Sequence, residues 1–151
     1  MQKITTFLWF DDQAEQAATF YTSLFPDSRI VSVQRQGDAG PAFLVEFEAA
    51  GQRFLALNGG PQFKFNEAIS LYVNCESQEE VDELWDKLTE GGEESQCGWL
   101  KDRWGLSWQI IPKQLHELLQ HPDPATAQQV MKAMMGMQKI DIAGLQAAAG
   151  Q

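Results

Sequence analysis

The sequence predicts an α+β fold: two tandem β-α-β-β-β modules followed by a helical tail. Three observations carry this. A segment rich in aromatic and β-branched residues, followed at once by a helical apolar pattern, occurs at Ile4 and again at Ala68. Each occurrence is followed by three short strand-like runs. After Pro112 the pattern becomes purely helical. The modules span residues 1–60 and 66–112 of one domain, and residues 113–151 form a tail packed on that domain or on a dimer partner.

In the first module, Ile4 to Phe10 is a strand bounded by Asp11-Asp12. Asp12 is placed to cap a helix with Glu15 three residues on, and Ala14, Ala17, Ala18, Tyr21, Leu24 and Phe25 recur at helical spacing on one face. Pro26-Asp27-Ser28 stops it. Strands follow at Arg29 to Arg35, Ala42 to Glu48 and Gln52 to Asn58, separated by Gly/Pro-rich turns.

The second module repeats this order. Ala68 to Cys75 is a strand, and Ser77 to Glu80 is an S-x-x-E capping box opening a helix whose apolar face is Val81, Leu84, Trp85 and Leu88. Gly91-Gly92 ends the helix. Strands are expected at Glu93 to Cys97, Trp99 to Lys101 and Leu106 to Ile111, with Asp102 to Gly105 as a turn. In the tail, helices are expected at Lys113 to Gln120, Thr126 to Met135 and Asp141 to Ala149, where the clustered methionines fill gaps against the sheet or a second subunit.

Composition excludes several functions. With 11 Lys+Arg against 21 Asp+Glu the net charge is −10, which repels phosphate backbones and anionic headgroups, so neither nucleic acid nor a membrane surface is an expected partner. No apolar run approaches a bilayer span, and the start Met1-Gln2-Lys3-Ile4 does not look like a signal peptide. Two cysteines, Cys75 and Cys97, make no disulfide framework; a cytoplasmic protein is expected. The two histidines, His116 and His121, both fall in the tail at a spacing that separates them on a helix, so a His-based metal centre is not expected.

The segments Phe65 to Leu71, Gly91-Gly92, Gln96 to Asp102, Trp104 to Pro112, Val130-Met131 and Lys139 to Ile142 resemble the PhnB-like family. That family carries the domain name 3-demethylubiquinone-9 3-methyltransferase, within the vicinal oxygen chelate superfamily of glyoxalase I, bleomycin-resistance proteins and extradiol dioxygenases. The resemblance implies a homodimer and a cavity on the first, fourth, fifth and eighth strands, where metal-dependent members place His or Glu. Here those positions carry Thr5, the Ala56/Asn58 face, Ser70 and Gln109, all neutral and poor ligands for a transition metal. No metal or other cofactor is therefore expected.

Strand alternation puts Thr5, Phe7 and Trp9 of the first strand, Ser70, Tyr72 and Asn74 of the fifth, and Ser107, Gln109 and Ile111 of the eighth on the side of that cavity. With Asn58 and the linker aromatic Phe63, the expected ligand-binding residues are Thr5, Phe7, Trp9, Asn58, Phe63, Ser70, Tyr72 and Gln109. They suit a small flat or apolar molecule held by stacking and hydrogen bonds. The expected function is metal-independent small-molecule binding. The alternative is an enzyme, either a methyltransferase, as the domain name implies, or a lyase or isomerase working in the same cavity. Against the first, Gly59-Gly60 leads into Pro61 and no helix, and so lacks the form of a glycine-rich donor loop. Cys75, just before the second helix, is the better of two candidate nucleophiles, although a buried apolar role is the ordinary one for such a cysteine.

Overall fold

The computed structural model describes residues 2–151, which divide into two compact units, one ending at Phe65 and the other Asn66–Gln151. The first unit holds β1 (Thr6–Phe10), α1 (Ala14–Leu24), β2 (Arg29–Arg35), β3 (Ala42–Ala49) and β4 (Gln52–Asn58). Its sheet runs β1-β4-β3-β2, with β1 parallel to β4 and the other pairs antiparallel. Leu8, Phe10, Val45, Phe47, Phe54 and Ala56 turn one face toward α1, which buries Ala14, Ala17, Ala18 and Tyr21 against it. Phe47 stacks on Phe54 at 5.1 Å in the centre of this layer.

β1 begins at Thr6, not at Ile4, so Thr5 precedes the strand. The cause lies across the pair. Ladder pairing with β4 starts at Thr6 and Phe54, and the next β4 position, Arg53, is taken by the Gln2 carboxamide, which accepts the Arg53 N–H and donates to the Arg53 carbonyl, both at 3.2 Å.

The second unit contains β5 (Ser70–Cys75), α2 (Gln78–Thr89), β6 (Glu93–Glu94), β7 (Trp99–Lys101) and β8 (Ser107–Pro112), in a sheet ordered β5-β8-β7-β6 with β5 parallel to β8. Both modules therefore repeat β-α-β-β-β, as the sequence predicts. The Ser77 hydroxyl caps α2 by accepting the Glu80 N–H at 3.2 Å. Val81, Leu84, Trp85 and Leu88 are the buried stripe of α2, each worth about 1.5–3 kcal/mol of transfer free energy. β6 is shorter than expected, because Cys97 and Gly98 adopt φ of 61° and 84° and cannot continue an extended chain.

The tail folds into α3 (Lys113–Leu119), α4 (Pro124–Met135) and α5 (Ile142–Ala148), which belong to the second unit. Ile111 of β8 joins Leu115, Leu118, Val130, Ile140 and Leu145 in one buried cluster. Gln78 of α2 fixes the tail from both ends of its carboxamide, donating to the Ile140 carbonyl at 3.0 Å and accepting the Ile142 N–H at 2.7 Å. Lys139 pairs with Asp82 one turn along α2. Among the described residues no helix is long and apolar enough to cross a membrane.

Candidate functional site

In the second unit, register fixes which side chains share a face. Ser70 pairs with Ser107 and Tyr72 with Gln109, and on the other side of β8 Gln109 faces Trp99 and Ser107 faces Lys101. These residues lie opposite the α2 layer, where Leu71, Val73, Trp108 and Ile110 are found. Gln109 donates Nε2–H to Ser70 Oγ at 3.0 Å, so two of the expected site residues are in direct contact. Beside this bond the Ser107 hydroxyl is fully buried and has no hydrogen-bond partner. Tyr72 is 49% exposed, and partial burial, then the neighbouring Cys75, pushes its phenol pKa upward, so its O–H stays a donor at neutral pH. Lys101 reaches Glu67 in an ion pair at the margin of this face. Each charge holds its partner in the ionised form: Lys101 lowers the Glu67 pKa and Glu67 raises that of Lys101.

In the first unit, Phe7 and Trp9 lie on the face away from α1, paired with Leu55 and Leu57. Phe7 is exposed, and Phe63, also exposed, meets the Trp9 ring edge-on at 4.9 Å. Asn58 does not share this face. It pairs with Phe10, whose side chain belongs to the α1 layer, and its carboxamide is used there: Oδ1 accepts the Ala14 N–H at 2.8 Å and Nδ2 donates to the Ala42 carbonyl at 3.0 Å. Asn58 thus takes the capping role expected of Asp12, and α1 has no cap from its own N-cap side chain.

The Gly59-Gly60 turn is likewise committed to the fold. Its N–H groups donate to the Phe10 and Asp11 carbonyls at 2.9 and 3.1 Å, and the Trp9 indole donates to the Gly60 carbonyl at 2.9 Å. A Cβ on Gly59 would lie 2.4 Å from the indole ring, so glycine is present for close approach and the turn has no N–H groups left to cradle a methyl donor.

Cys75 is fully buried, and burial, with Glu80 second, pushes its thiol up to about 12; it is no nucleophile at neutral pH. Asp102, which the sequence places in a turn, is almost fully buried. Its Oδ1 accepts the Trp104 and Leu106 N–H groups at 2.9 and 3.1 Å, and its Oδ2 accepts the Trp108 indole at 2.9 Å. Its proximity to these three donors was not legible from the chain, because the Trp108 contact depends on how β7 returns into β8.

The metal centre used by metal-dependent superfamily members does not fit these residues. The face carries hydroxyl and amide groups, and Ser70 and Gln109 are hydrogen-bonded to one another. Among the described residues no three His, Cys, Asp or Glu side chains converge as a metal site would need.

The profile of the 3-demethylubiquinone-9 3-methyltransferase family matches residues 2–111, which leaves the whole of the tail outside it. A PhnB protein from Bacillus cereus is 39% identical with a TM-score of 0.69, the match covering 74% of this chain and 99% of that one. Protein PA1353 from Pseudomonas aeruginosa has the same fold at 18% identity and a TM-score of 0.62, covering 74% and 98%. So does the fosfomycin resistance protein FosX from Listeria monocytogenes, in a structure complexed with Mn(II) and sulfate, at 17% identity and a TM-score of 0.51, covering 72% and 90%. No curated protein matches. The PhnB-like, glyoxalase-type α+β architecture predicted from the sequence is the one found, and the chain belongs to the 3-demethylubiquinone-9 3-methyltransferase family.

Proposed function

We propose that the protein binds a small molecule, without a metal, on the face of the second sheet that carries Ser70, Tyr72, Ser107 and Gln109. The observation that carries this reading is the Ser107 hydroxyl, buried without a partner beside the Ser70–Gln109 hydrogen bond. A buried unpaired hydroxyl costs about 1–3 kcal/mol, and a ligand group that reached it through a rearrangement of the side chains on this face would recover that cost. The neighbouring half-exposed Tyr72 ring supplies a stacking surface and a phenol donor. A flat molecule with one or two polar substituents fits this chemistry. Phe7, Trp9 and Phe63 of the first unit offer a second aromatic surface of the same kind. The homodimer and the cytoplasmic location expected from the sequence belong to the same proposal.

Nuclear magnetic resonance titration of the whole chain with small phenols and aryl amides tests the reading. Saturable shifts at Ser70, Tyr72 and Gln109 are expected, unchanged after exhaustive chelation and abolished in Gln109→Ala. Shifts confined to other residues, or lost on chelation, would overturn it. Saturable micromolar binding of S-adenosylmethionine would favour a methyltransferase instead.

A further inference from the structure

The tail carries a cleft of about 290 Å³, chemically different from that sheet face and lined by Gln114, Glu117, Gln120, His121 and Gln146 among others. It lies where the C-terminal end of α3 meets α5, beyond the residues that match the family profile. Carboxamides, Gln151 included, dominate the lining, and among the described residues that form it Glu117 is the one acidic side chain and no Lys or Arg is present. Gln114 is the least settled of these groups. Its Nε2 reaches the Glu76 carbonyl only at 3.5 Å, the outer limit of a hydrogen bond, and its Oε1 is buried without a partner. Gln114 lines the cleft, and a rotation of its carboxamide that gives up the long Glu76 contact would turn this acceptor toward it. His121 accepts the Asp123 N–H on Nδ1 at 3.0 Å, which leaves Nε2 as the N–H donor of the neutral ring.

We infer that this cleft binds a small protonated amine that also carries a hydroxyl or carbonyl oxygen. Its ammonium would sit against Glu117 and Gln114 Oε1, and its oxygen would accept from His121 or a glutamine N–H. The volume is just below the range usual for drug-sized ligands, which limits the occupant to a compact molecule. This site does not depend on the sheet face proposed above, and either can fail alone.

Ethanolamine is the probe and ethylene glycol its neutral counterpart, titrated into the full-length protein while the glutamine side-chain amide and His121 ring resonances are followed. Ethanolamine is expected to give saturable shifts there and ethylene glycol none. Glu117→Gln, at an exposed position, should weaken binding by about tenfold, the usual scale of one charge-assisted contact, and Gln114→Leu by a similar factor. Should Gln114→Leu not fold, Gln114→Glu carries the test, with tighter binding expected. No saturable shift, equal response to the neutral diol, or unchanged affinity in Glu117→Gln would each overturn the inference and leave a cleft that holds only water.

Discussion

The Oδ1 of Asn58, the last residue of β4, accepts the backbone N–H of Ala14, the first residue of α1, at 2.8 Å, while its Nδ2 donates to Ala42 of β3 at 3.0 Å. One carboxamide therefore ties three elements of the first module and occupies the position where α1 lacks a local cap. Asn58→Ala is expected to cost about 2 kcal/mol, one cap and one buried hydrogen bond together. Urea denaturation would show this as a lower midpoint at unchanged slope, and a loss under about 0.5 kcal/mol would contradict the capping role.

Asp102 is the corresponding anchor in the second module. Asp102→Ala leaves two backbone N–H groups and the Trp108 indole without their acceptor, and a loss of about 3 kcal/mol or more is expected. Asp102→Asn should fall between wild type and alanine, because its NH₂ must face a donor. Thermal denaturation of the three proteins gives the order directly.

Gly59→Ala should displace the Trp9 ring, since the added methyl would lie 2.4 Å from it. The indole N–H bond to the Gly60 carbonyl breaks with that movement. A shift of the Trp9 indole resonance with about 1–3 kcal/mol of lost stability is expected, and an unmoved resonance would show that the ring has room.

Cys75 gives a pH-dependent prediction. The unfolded thiol ionises near 9.0, and the folded one is held protonated up to about 12, so between these values the unfolded state has lost a proton that the native state keeps. Stability is thus fully present below pH 9.0 and falls as pH rises toward about 12, by up to about 1.4 kcal/mol per pH unit. Cys75→Ser, whose hydroxyl does not titrate in this range, should flatten that part of the curve. At pH 8 a thiol reagent should modify the partly exposed Cys97 in the native protein and Cys75 only after unfolding.

The strand and helix pattern of both modules was legible because alternation and the Ser77–Glu80 capping box are local signals, carried by residues within a few positions of one another. What escaped was set by residues far apart in the chain. Thr5 lies outside β1 because Gln2 occupies Arg53, and Asp12 is displaced as a cap by Asn58 from the far end of the module. β6 stops early because Cys97 takes a left-handed conformation, with its N–H on the Met137 carbonyl of the tail. On the candidate face, alternation put Ser70 and Gln109 on the same side of their strands, and the Ser70–Gln109 bond follows from the parallel register. Alternation alone could not show that Ser107, one register position away, would be buried and unbonded.

In each module the parallel pair joins the first strand to the last: Thr6 meets Phe54, and Ser70 meets Ser107. Neither β1 nor β5 can complete its ladder until the whole intervening helix and hairpin have been laid down. Such distant pairing must meet its loop-closure entropy before it gains any contact, which favours slow folding with little stable structure in a half-synthesised module. Chain emerging during synthesis would therefore keep β1, or β5, without its sheet partner until the closing strand arrives.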